Sequence, residues 1–110
     1  MRLPNPEQAH LGRKLEEYVL NPKHREGRHK ARVFESVLGI TLASQEVLRQ
    51  AILHAASTSD EVEPRGDDGH GSLYVLRFPM RTLKGQAVVL TAGIVRHGED
   101  FPRLTTCHIL

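Results

Sequence analysis

Between Asn21 and Gly39 the chain reads NPKHREGRHKARVFESVLG, placing two histidines, two lysines and three arginines just ahead of an apolar run. Cations at this density suit an anion. A helix beginning near Lys30 would add unpaired backbone amides and the positive end of its dipole. Arg28, Lys30 and Arg32 are therefore the candidate phosphate-binding residues, and Gly27 is a point where backbone can come close to a ligand. The competing reading of the same residues is a solvated basic loop, with Lys30 and Arg32 on the outer face of the helix.

A second stretch able to do chemistry is the last one, PRLTTCHIL, which carries Arg103, Thr105, Thr106 and His108 in a strand-like run. Strict alternation puts Thr106 and His108 on one face with Leu104, and Arg103 with Thr105 on the other. The plain alternative is a terminal strand with β-favouring threonines and one polar face. Cys107 reads as a packed thiol, because nothing beside it in sequence would lower its pKa.

Other chemistries find little support. His24 and His29 are five apart, which fits neither a helical metal pair nor a finger, and a lone cysteine offers no CxxC pair, so no metal is expected. No GxSxG, GxGxxG or P-loop motif occurs, so no cofactor is expected either. His10, His54 and His70 look ordinary. Fifteen Lys and Arg against thirteen Asp and Glu give a net charge of +2, so nucleic-acid binding would depend on clustering of the positive charge. No stretch is apolar for long enough to cross a membrane, residues 1–20 lack a secretory apolar region, and a reducing cytoplasm is the expected compartment.

The elements that must hold these residues follow from periodicity. A first helix is expected from Asn5-Pro6-Glu7 to Asn21-Pro22, with Leu11, Leu15, Tyr18 and Val19 on its inner face. A second runs from about Lys30 to Leu38 and stops at Gly39. A third starts at Ser44, whose hydroxyl caps it, with Val47, Leu48, Ala51, Ile52 and Ala55 in register. Residues 57–71 read as an exposed connection with room for a short edge strand near Glu61 to Glu63. Strand-like runs follow over 72–110: Tyr74, Leu76, Phe78 and Met80 share one face of the first, and Val88, Leu90, Ala92 and Ile94 one face of the second. The 110 residues suit one α+β domain, with N-terminal helices over 5–56 packed on one face of a three- to four-stranded antiparallel sheet.

Residues 18–40, YVLNPKHREGRHKARVFESVLGI, followed downstream by HGEDFPRLTT, resemble the bacterial domain-of-unknown-function family 6883. The resemblance rests on Leu20, Asn21, Pro22, His24, Gly27, Lys30, Ala31, Phe34 and Gly39, and later on Glu99, Asp100, Pro102, Arg103, Leu104 and Thr106. In layout that family is similar to the barnase, EndoU, colicin and RelE ribonucleases, whose members often serve as toxin domains. Where an aromatic residue is expected near the chain end, this sequence has His108.

The analogy implies metal-independent RNA cleavage, in which a ribose 2′-hydroxyl attacks the adjacent phosphate. It assigns His24 or His108 to proton transfer, Lys30 and Arg103 to the phosphate, and Thr106 to orientation. RNA is then the partner, together with a cognate antitoxin or other small protein. The rival class is a non-catalytic binding protein, of antitoxin or immunity type or a subunit of a two-gene module. It would grip an acidic partner with the same surface and use His24 to brace the loop.

Overall fold

Alternation along two long runs builds the centre of the sheet. In the computed structural model, which describes residues 1–110, β2 (Gly71–Arg81) pairs antiparallel with β3 (Gln86–Arg96) along its whole length. β1 (Glu63–Asp67) flanks β2 and β4 (Arg103–Ile109) flanks β3, giving the order β1-β2-β3-β4, each neighbour antiparallel. β1 lies inside the stretch read as an exposed connection, and all five of its residues are indeed exposed. Its glutamate, proline, arginine, glycine and aspartate blunt an open sheet edge against further pairing.

The helices lie ahead of the sheet in sequence. α1 (Arg28–Val33) continues into a wider π-helical segment, Phe34–Leu38, and ends at Gly39, whose φ of 69° is the left-handed conformation that glycine adopts without a Cβ penalty. α2 (Gln45–Thr58) turns Leu48, Ile52, Ala55 and Ala56 inward. Val47, grouped with them by periodicity, instead lies on the outer side and is 51% exposed. Ser44 does not cap α2 with its hydroxyl; that oxygen accepts a hydrogen bond from the Thr41 N–H at 3.0 Å.

The continuous first helix expected from Asn5 does not form. A 3-10 turn over Pro6–Gln8 and a π-helical segment over Leu15–Val19 are separated by an extended link. In that link His10 forms a parallel bridge with Arg103, the His10 N–H donating to Pro102 O and the Leu104 N–H to His10 O. Backbone pairing with the margin of β4 thus overrides the helical pattern, and left-handed Gly12 lets the chain turn away again.

One apolar core joins the helical segments to the sheet. Leu15, Val19, Phe34, Leu38, Leu48 and Ile52 meet Leu76, Phe78, Met80, Val89 and Cys107. Each large side chain so buried contributes roughly 1.5–3 kcal/mol from its removed apolar surface. The register shows which side of each strand takes part. Leu76 lies opposite Thr91 and Phe78 opposite Val89, so the core side of β3 carries Val89 and Thr91. Val88, Leu90, Ala92 and Ile94 do share a face, and it is the opposite one. Cys107 is wholly buried and its thiol is pushed up to about 12 by desolvation. A thiol-alkylating reagent at pH 8 should therefore leave the native protein unlabelled and modify it only at the rate of unfolding, as mass spectrometry would show.

β4 departs from strict alternation. Ala92 pairs with Thr106 but its neighbour Gly93 pairs with Leu104, so Thr105 is one extra residue in the strand, a β-bulge. The bulge corrects the two-face expectation for this strand. Arg103 lies opposite Ile94, Thr106 opposite Ala92 and His108 opposite Leu90, placing all three on one ladder face. Leu104 is moved to the core side, where it packs against the apolar cluster with Ile109.

Candidate functional site

The bend before α1 is built by short side chains that imitate backbone. Asn21 Oδ1 accepts the Lys23 N–H at 2.9 Å, turning the chain at Pro22. Three residues on, His24 Nδ1 accepts the N–H groups of Glu26 at 3.0 Å and Gly27 at 2.9 Å, doing for α1 what an Asp or Ser does at a helix start. With Nδ1 committed as acceptor, the ring proton sits on Nε2, which points His24 outward as a donor. Gly27 is required by packing and not by a ligand: a Cβ there would lie 2.0 Å from the Tyr18 carbonyl oxygen.

That close approach seats Tyr18 against the bend. Its ring meets the His24 ring edge-on, with centroids 4.9 Å apart. Lys30 Nζ donates to the Tyr18 hydroxyl at 2.9 Å and also lies 5.1 Å from the ring centroid. The ammonium stabilises the phenolate, and the Tyr18 pKa is held below its ordinary value of 10.0, chiefly by this bond and secondarily by the Thr106 hydroxyl. Thr106 Oγ1 is shut off from solvent and makes no hydrogen bond of regular geometry, so its contact with the phenol is the looser of the two.

Tyr18 and His24 open onto a polar cleft of about 650 Å³ between the segment from His10 to Tyr18, the bend, and the first residues of β4. Arg13, Lys14, Arg96 and Arg103 line it, against Glu17 and Glu26. Arg103 enters in a definite state: its Nε and one terminal nitrogen donate to the two Glu99 carboxylate oxygens at 2.9 and 2.8 Å, and the guanidinium lies over Phe101.

The Arg103 fork holds the Glu99 carboxyl below its ordinary value of 4.5. For a carboxylate whose folded pKa is depressed, the stabilisation is complete above the unfolded value and is lost as pH falls through the folded one. In a carboxyl-carbon NMR titration Glu99 should accordingly have its midpoint below 4.5, and Arg103→Gln should move that midpoint back up towards it.

Of the residues singled out in the sequence, His24 and Arg103 line the cleft, and Lys30 and Thr106 support it through Tyr18. His108 does not line it; it sits with Lys30, His29, Val33 and Ile109 around a separate hollow of about 320 Å³. Arg28 and Arg32 line neither space, and the Arg28 guanidinium is turned back onto the Arg25 carbonyl. Tyr18, His10, Arg13, Lys14 and Arg96 are the residues that sequence reasoning missed. Tyr18 carried a usable signal, since a tyrosine at the margin of an apolar face keeps its hydroxyl near a polar partner. No group of three or more His, Cys, Asp or Glu side chains is arranged to hold a metal ion. No helix is long and apolar enough to cross a membrane.

No curated protein and no solved structure matches the chain. Over residues 2–110 it belongs to the family described as domain of unknown function, DUF6883.

Proposed function

We propose that this DUF6883 member is a metal-independent, RNA-cleaving domain whose site is the cleft between the His24 bend and the start of β4. The observation that carries the reading is Tyr18, a residue that borders a space lined by cations and whose phenol is lowered by Lys30. A phenolate in that place is a base for a ribose 2′-hydroxyl, and proton transfer by a positioned side chain typically contributes about 10²–10⁴-fold.

In this mechanism the 2′-hydroxyl proton passes to the Tyr18 phenolate as the 2′-oxygen bonds to phosphorus. The bond from phosphorus to the 5′-oxygen breaks, and that oxygen takes a proton from solvent water entering the cleft. The products are a 2′,3′-cyclic phosphate and a 5′-hydroxyl. His24 Nε2–H, Arg96 and Arg103 donate to the phosphate oxygens, the last after exchanging the Glu99 carboxylate for the substrate. Lys30 and Thr106 act through the phenol and are positioning residues.

The test is incubation of the purified chain with unstructured RNA in excess chelator. Fragments ending in cyclic phosphate support the reading, and intact RNA over a wide range of pH and protein concentration overturns it. A second reading, a non-catalytic partner protein of antitoxin or immunity type, is favoured by one feature. The Nδ1 of His24 is fully used in bracing the bend, as a structural histidine's would be. Expression in bacteria separates the two: growth arrest relieved by a cleft substitution favours the nuclease, and innocuous expression with intact RNA favours the binder.

A further inference from the structure

We infer that the hollow beside His108 is a second nucleotide subsite, and that the substrate is single-stranded RNA lying extended across Lys30 from the cleft into that hollow. The inference rests on the RNA reading of the cleft and adds a strand path and a substrate class to it.

The lining residues fit a base. His29 and His108 contribute two flat imidazoles, while Val33 and Ile109 contribute aliphatic surface; Val33 is 39% exposed although apolar. Planar imidazoles and apolar side chains are the surfaces on which unpaired bases stack. At about 320 Å³ the hollow is large enough for a nucleotide, near the lower end of known ligand pockets at roughly 300 Å³.

Its connection to the cleft is a single side chain. Lys30 lines the hollow, while its Nζ bonds the hydroxyl of Tyr18, which lines the cleft. A chain leaving the cleft therefore passes over an ammonium group, where a backbone phosphate is favoured. Arg28 and Arg32 lie on the exposed side of α1, turned away from Lys30 by the helical spacing, and neither has a carboxylate partner. The two spaces are separated by the Tyr18–Lys30 pair, so bases in both must be unstacked from each other. A duplex cannot do this.

The experiment compares a dinucleotide with one phosphodiester bond, a tetranucleotide of the same composition, and that tetranucleotide annealed to its complement. With native protein, single-stranded tetranucleotide should bind roughly 5- to 100-fold more tightly than dinucleotide, the range a stacked base supplies. The duplex should show no such gain. In His108→Ala the tetranucleotide-to-dinucleotide ratio should fall to near one, and the exposed His29→Ala should lower it in the same direction should the first variant fold poorly. RNA that is bound and cleaved with no gain from length, or with a gain that survives both variants, overturns the subsite and leaves the cleft reading standing. Failure to bind any of the oligonucleotides overturns both.

Discussion

Adding one methyl group at residue 27 should cost about 3 kcal/mol of stability or more, the upper range for overpacking a site that cannot yield. The Cβ of Gly27→Ala would lie 2.0 Å from the Tyr18 carbonyl oxygen and 2.8 Å from its carbonyl carbon, both of them backbone atoms with no rotamer to escape into. The φ at Gly27 is −79°, an ordinary helical value, so the damage comes from contact and not from conformational preference. Either α1 moves off the segment carrying Tyr18, or the segment moves off the core through Leu15 and Val19. Both routes part Lys30 from the phenol. Denaturant unfolding of the variant measures the loss, and Arg32→Ala, on the exposed side of the same helix, should stay within about 0.5 kcal/mol of the native protein. Unchanged stability in Gly27→Ala would mean that the Tyr18 carbonyl and α1 are not in contact.

Tyr18→Phe should leave the fold intact and reduce RNA cleavage by about 10²-fold or more, the loss expected when a positioned proton-transfer group is removed. Phenylalanine keeps the ring that meets His24 edge-on and the surface over which the Lys30 ammonium lies. It removes only the oxygen. A reduced rate alone would also follow from a disturbed cleft, so the pH profile is the sharper readout. The base is active as phenolate, so the native rate should climb with pH through a pKa below 10.0 and then level off. In Tyr18→Phe that rising limb should vanish. In Lys30→Met it should move up towards 10.0, because the ammonium is the principal cause of the lowering. A rising limb that persists unchanged in the phenylalanine variant would assign the proton transfer elsewhere.

Much of the fold was legible because it is written in short-range pattern. Tyr74, Leu76, Phe78 and Met80 alternate as the core side of a strand must, and Gly39 marks the end of the second helical run. The first helix was not, since its failure depends on His10 finding the backbone of residues 102–104, a pairing that nothing within the segment announces. The same holds at the site. His24 and Arg103 could be picked out by residue type, but the partners that give them chemical meaning, Tyr18 and Glu99, are fixed by packing and by a loop contact. Histidine identity alone misleads: His10 looks ordinary in the sequence and lines the cleft, while His108 looks like an acid–base residue and lies in another hollow.

The extra residue at Thr105 makes the chemistry of β4 a matter of counting as well as of identity. Every side chain on which the cleft draws in that strand sits N-terminal to the irregularity or beside it, while the core contacts of Cys107 and Ile109 lie beyond it. Removing that one residue would give a regular ladder with Arg103 still in phase with Thr106, whereas pairing all seven residues without the bulge would turn Arg103 to the other side of the ribbon. Relatives of this protein can therefore keep each recognisable residue type and still lose the cation from the cleft through loss of the bulge alone, with no gap in an alignment to mark it.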